Sequence, residues 1–213
     1  MTLKERYNGV LTWFKANVPA PQSELRYQDP FQLLVAVILS AQCTDKRVNM
    51  VTPALFAALP TPRAMANVDV ATIYKHIKSI SYPNNKAKNL HNMAIMLVNE
   101  FHSQLPETVD ELQRLPGVGK KTANVVASII FGAPVIAVDT HVFRLARRLG
   151  LASDNANTPE KVEDALEKHI PLEWRATAHH WLILHGRYVC TARNPKCTDC
   201  GLTKWCQNFA TNC

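Results

Sequence analysis

Glycine is scarce in this chain, at 7 of 213 residues. That excludes a collagen-like repeat and argues against a turn-rich all-β fold. Long apolar runs are missing as well. The longest uncharged stretch, Thr122 to Val138, is 17 residues and is interrupted at Gly132-Ala133-Pro134, short of the roughly 20 apolar residues a membrane span needs. Lys4, Glu5, Arg6 and Lys15 break up the N-terminal region, so no apolar signal core is visible there. Acidic residues are the minority, 17 against 24 lysines and arginines, for a formal net charge of +7. Period-two alternation is nearly absent; Val135 to Val138 is apolar but too short to be a strand. What these absences leave is a helical globular chain with no membrane partner, expected in the cytoplasm and at the nucleoid if the source is bacterial. In that reducing compartment six cysteines suit metal or cluster ligation better than a disulfide framework.

The sequence is helical almost throughout. Leu3, Tyr7, Val10, Leu11, Phe14 and Val18 make one apolar stripe that ends at Pro19 and Pro21. Pro30 opens a second helix whose body, Phe31 to Ala41, is apolar on nearly every side, the pattern of a helix at the centre of a bundle. Short helices follow, punctuated by Pro53, Pro60, Pro62, Pro83 and Pro106. Thr158-Pro159-Glu160 reads as an N-cap, a first-turn proline and a first-turn acid, and a further helix is expected over Glu173 to Tyr188.

From Cys190 onward the sequence is poor in aliphatic residues and needs an organiser other than a core. Cys190, Cys197, Cys200 and Cys206 supply it in the spacing C-x6-C-x2-C-x5-C. Structural zinc usually takes two close pairs, and only Cys197 and Cys200 form one. A 4Fe–4S cluster tolerates the wider outer spacings, so both metals remain open on spacing alone. Cys43 is expected to be a small buried residue and Cys213 a bystander.

Basic residues gather elsewhere. Between Arg114 and Arg148 there are six (Arg114, Lys120, Lys121, Arg144, Arg147, Arg148) against the single acid Asp139. In that segment Leu115-Pro116-Gly117-Val118-Gly119 separates two helical stretches, Thr108 to Arg114 and Lys120 to Phe131. A glycine turn that runs straight into a helix N-terminus offers free N–H groups and a favourable dipole to a phosphate. The element reads as a helix-hairpin-helix over about 108–131 that grips one DNA strand through its backbone. Lys120 and Lys121 read equally well as phosphate-contacting lysines. Asp139 reads as the N-cap of a helix starting near Thr140, and as a catalytic carboxylate if that helix start faces a cleft.

The strings LLVAVILSAQCTD (33–45), LPGVGKKTANVV (115–126), AVDTHVFR (137–144) and HHWLILHGRYVC (179–190), with the cysteine loop, resemble the helix-hairpin-helix DNA glycosylase superfamily, and within it the endonuclease III family. The resemblance covers nearly the whole chain. It implies an all-α, two-lobed fold. One lobe is a six-helix barrel over about 23–133; the other is discontinuous, 1–22 plus 134–213, and holds one 4Fe–4S cluster on loop 190–206. It implies that Lys121, the lysine immediately before Thr-Ala, is the nucleophile and that Asp139 is the second catalytic group. The function implied is base-excision repair by a monomer acting on double-stranded DNA with damaged bases or abasic sites. The reaction is excision of an oxidised pyrimidine followed by β-elimination through a lysine Schiff base. DNA contacts are expected from Gly117, Val118, Gly119, Lys120, Thr122, Thr140, His141 and Arg144. Gln42 is expected to fill the space of the flipped base, and Tyr82 stands where many relatives carry a leucine wedge. His179, His180 and His185 show no metal spacing and read as structural. Two other readings compete: a glycosylase of the same fold acting on mismatched bases or pyrimidine dimers, and a non-catalytic iron–sulfur DNA-binding protein.

Overall fold

The computed structural model describes residues 1–212; Cys213 lies outside the described residues. Among them the chain is all-α, with twelve α-helices, three single 3-10 turns and no strand. None of the helices is long and apolar enough to cross a membrane. The chain divides into two compact units, Ser23–Gly132 and Met1–Gln22 with Ala133–Cys213.

The first unit is built from α2 (Pro30–Ser40), α3 (Asp45–Ala58), α4 (Pro62–Ala66), α5 (Val70–Ile77), α6 (Pro83–Glu100), α7 (Val109–Arg114) and α8 (Lys120–Phe131). That is seven helices among the described residues, of which α4 is a five-residue piece begun at Pro62. Asp29 caps α2 by accepting from the Gln32 N–H at 2.9 Å. Every residue from Phe31 to Leu39 is buried, since α2 packs on α3, α6 and α8 at once. Pro53, expected to break a helix, lies inside α3. An internal proline costs about 3 kcal/mol. The buried face of Val48, Val51, Thr52 and Leu55 outweighs it, at about 1.5–3 kcal/mol for each large apolar side chain removed from water.

The second unit joins the two ends of the chain: α1 (Leu3–Asn17), α9 (Thr140–Leu149), α10 (Pro159–His169), α11 (Arg175–Tyr188) and α12 (Gln207–Asn212). Its core mixes Tyr7, Val10 and Phe14 of α1 with Val142 and Leu145 of α9, Leu166 of α10 and Trp181 of α11. Phe14 stacks on Trp181 with ring centres 5.6 Å apart, and the Trp181 indole N–H donates to the Val18 carbonyl at 2.6 Å. The buried Tyr7 hydroxyl donates to the Leu151 carbonyl at 2.8 Å, and burial raises its pKa. Leu3, counted in the apolar stripe, is instead exposed, because it occupies the first helical turn beside the capping box of Thr2 and Glu5. The helix expected over Glu173 to Tyr188 begins as a 3-10 turn, Leu172–Trp174, and becomes α11 at Arg175.

Candidate functional site

In the first unit the turn between α7 and α8 has the geometry of an anion seat. Gly117 has φ +83°, and a Cβ there would lie 3.0 Å from the Asn89 side chain, so only glycine fits. Gly119 does not need a positive φ; its φ is −88°. What it supplies is space, since nothing lies within 4 Å of the point a Cβ would occupy. It is the N-cap of α8 and gives no side-chain cap, so no side-chain oxygen from the N-cap competes with a phosphate at the helix N-terminus. The Val118 side chain is buried, so this residue offers only its backbone to DNA. Lys120 and Lys121 are exposed and Thr122 is half-buried.

Two more of the expected contacts lie in the same unit. Gln42, just past the end of α2, is exposed and has φ +52°. Tyr82 is 62% exposed and serves as the N-cap of α6 in the left-handed conformation. Cys43 is half-buried rather than buried.

In the second unit Asp139 is the N-cap of α9. Its Oδ1 accepts from the amides of His141 and Val142, both at 2.8 Å. Its Oδ2 has no hydrogen-bond partner among the described residues. The approach to this cap is fixed from α11: the buried His179 places Nδ1 2.9 Å from the Ala137 carbonyl. Gly186 allows α11 to cross closely, since a Cβ there would lie 3.0 Å from both Cβ and O of His141. Thr140 is exposed and His141 half-buried. Arg144, expected on DNA, has a different task. Its guanidinium donates to the Gly186 carbonyl at 2.6 Å and to the Cys190 carbonyl at 3.1 and 3.2 Å. It shares a 3.3 Å contact with His141 Nδ1. One turn on, Arg148 donates to the carbonyls of Thr191 at 2.7 Å and Ala192 at 2.9 Å. These arginines tie the Asp139 helix to the start of the cysteine loop.

Cys190, Cys197, Cys200 and Cys206 line one cavity, together with Leu145, Leu149, His185, Val189 and Phe209. All four are half-buried. Among the described residues no three metal-ligating side chains converge as on a single ion; the sulfurs instead ring a space, which fits a cluster of several atoms. Four soft sulfur donors with no carboxylate among the lining residues suit an iron–sulfur cluster. Burial pushes the Cys200 thiol up from its ordinary value. One residue of this site, His185, carries no site signal in the sequence. Its Nε2 lies 3.4 Å from Cys200 Sγ, and its ring packs edge-on against Phe14 with centres 5.5 Å apart. Burial lowers its pKa to about 4, so the imidazole is neutral at pH 7. No sequence spacing could have signalled this, because the contact spans the helix and the loop.

Comparisons with known proteins reach both units. The HhH-GPD superfamily base excision DNA repair protein family matches residues 35–172, and the iron-sulfur binding domain of endonuclease III matches residues 190–206. Endonuclease III of Rickettsia conorii is 47% identical over 202 residues, covering 95% of each chain. Endonuclease III of Escherichia coli K12 is 44% identical over 198 residues, covering 93% of each. The solved structure of a trapped endonuclease III–DNA covalent intermediate, an estranged-adenine complex, superimposes with a TM-score of 0.92 at 41% identity, over 99% of this chain and 98% of that one. A thermostable thymine-DNA glycosylase shares the fold, with a TM-score of 0.84 at 23% identity. This chain therefore belongs to the endonuclease III family of the HhH-GPD superfamily of base-excision DNA repair proteins, and it carries that family's 4Fe–4S domain.

Proposed function

We propose that this chain excises oxidised pyrimidines from duplex DNA and then cuts the strand at the resulting site, with Lys121 as nucleophile and Asp139 as its carboxylate partner. The observation that carries the reading is the uncapped N-terminus of α8. It is entered through the Gly117–Gly119 turn and has an exposed lysine, Lys121, in its first turn. Amides at such a terminus hold a phosphate without reading sequence. The damaged nucleotide is rotated out of the stack, at a cost of about a few kcal/mol. The deprotonated Lys121 Nζ then attacks C1′; the N–C1′ bond breaks and its electron pair leaves with the base, which takes up a proton. Opening of the sugar gives a Schiff base between Nζ and C1′. Loss of a C2′ proton then expels the 3′ phosphate by β-elimination. Asp139 serves to assist the deprotonation of Lys121 and to balance positive charge on the sugar, while its Oδ1 stays committed to the helix cap.

The 4Fe–4S cluster is held by Cys190, Cys197, Cys200 and Cys206, and supplies the organising centre that loop 190–206 lacks. Arg193, Lys196 and Lys204 are thereby presented to the phosphate backbone. The protein acts as a monomer on double-stranded DNA. A panel of duplexes, each with one lesion, tests the substrate. Release of oxidised pyrimidine with coupled strand cleavage is expected; release confined to mismatched bases or pyrimidine dimers would replace this reading.

A further inference from the structure

Four residues other than glycine have positive φ: Gln42, Tyr82, His102 and Ser103. His102 and Ser103 close the end of α6, where the Ser103 amide donates to the Leu97 carbonyl at 2.8 Å. Gln42 and Tyr82 are different. Gln42 occupies the position after a helix where glycine is the easy choice, yet it carries a long exposed side chain. Tyr82 precedes Pro83, and a residue before proline is normally held in the extended region; it is left-handed all the same, with φ 55° and ψ 50°. It gives α6 no side-chain cap and holds an aromatic ring 62% exposed. Strained, exposed tips of this kind persist only where the surroundings over-determine them, and they cluster at sites that clamp a ligand.

A single residue joins the two segments. Lys86 is buried, at 6% exposure. It lies in the first turn of α6, the turn that Tyr82 opens, where its backbone amide makes the helix's ordinary bond to the Tyr82 carbonyl at 3.2 Å. Its ammonium donates to the Leu39 carbonyl at 2.8 Å and to the Ala41 carbonyl at 2.6 Å. A lysine serving only as a cation at the end of α2 would need Leu39, a residue of the helix. The shorter bond goes past the helix to Ala41, the residue before Gln42. Burying an ammonium is costly unless it is fully paired, so its retention here points to a task that a simple glycine cap would not perform.

We propose that Lys86 is a positioning residue for base extrusion: it locks the Gln42 and Tyr82 tips into one rigid platform that enters the stack around the lesion. The inference rests on the glycosylase reading above. Its test compares the holoenzyme with Lys86→Met, which keeps the stem and removes the ammonium. In the variant, amide exchange should rise at 40–43 and 82–86 with the rest of the chain unchanged. Single-turnover excision of an oxidised pyrimidine should fall about tenfold to a hundredfold. Cleavage at a preformed abasic site, which has no base to rotate out, should stay within about threefold of the parent. An equal fall on both substrates makes Lys86 merely structural and overturns the proposal, as does no fall on either or unchanged exchange at the two tips. If Lys86→Met does not fold, Lys86→Gln, which keeps an amide donor, is read by the same criteria. A parent enzyme that excises nothing would remove the glycosylase reading, while the exchange data still decide whether Lys86 holds both tips.

Discussion

The hairpin before α8 and the loop 190–206 both carry basic residues, but they are shaped by opposite means. The hairpin is shaped by its own backbone: a left-handed Gly117 against Asn89, an open Gly119, and a helix that begins without a side-chain cap. The loop has almost no backbone regularity beyond two 3-10 turns. It is held from outside by Arg144 and Arg148, which donate to the carbonyls of Cys190, Thr191 and Ala192, and from inside by four thiols around one cavity. A backbone-shaped element should therefore fail locally when one residue changes. A ligand-organised element should fail as a whole when its ligand goes.

The largest break of that contrast comes from the cluster. Removing iron, or the change Cys200→Ser, should unfold 190–206 and expose the core face of α9 and α11. Amide exchange should rise across both segments, while the hairpin amides 115–122 keep their protection. Asp139 comes next, because the proposed mechanism gives it a second purpose beside the helix cap. Asp139→Asn keeps a capping side chain and removes the carboxylate, so activity should fall about a hundredfold or more with melting nearly unchanged. Asp139→Ala should lose a further ~1 kcal/mol of stability from the missing cap. Gly117→Ala should cost about 1–3 kcal/mol through its left-handed φ and weaken DNA binding. The smallest effect separates the two kinds of basic residue. Lys120→Ala should reduce the slope of log affinity against log salt by about 1. Arg148→Ala should leave that slope alone and lower thermal stability, since its donors face carbonyls inside the unit, each charge-assisted bond worth about 1.5–3 kcal/mol.

The parts of the fold that were legible in the sequence are those decided by local chemistry. Pro30 at the head of α2, Pro159 behind Thr158 and Asp139 before Thr140 each mark a helix start, and each helix begins there. The all-round apolar character of α2 signalled its central place. Legibility ended where partners far apart in the chain decide the outcome. Pro53 reads as a breaker, but tertiary burial carries α3 through it. Arg144 reads as a phosphate ligand, because the Gly186 and Cys190 carbonyls that occupy it lie more than forty positions away. His185 reads as merely structural, because its sulfur partner Cys200 is on another element. The Gly9 of α1, a weak residue inside a helix, has its reason in Trp205, whose ring would overlap a Cβ there.

In the proposed mechanism Lys121, and not its neighbour Lys120, forms the covalent bond to the sugar. Borohydride reduction of the holoenzyme on a duplex with one abasic site measures this directly. The account predicts a full yield of protein–DNA adduct for the parent and for Lys120→Ala, and none for Lys121→Ala. A persistent adduct in Lys121→Ala, or its loss in Lys120→Ala alone, would contradict it.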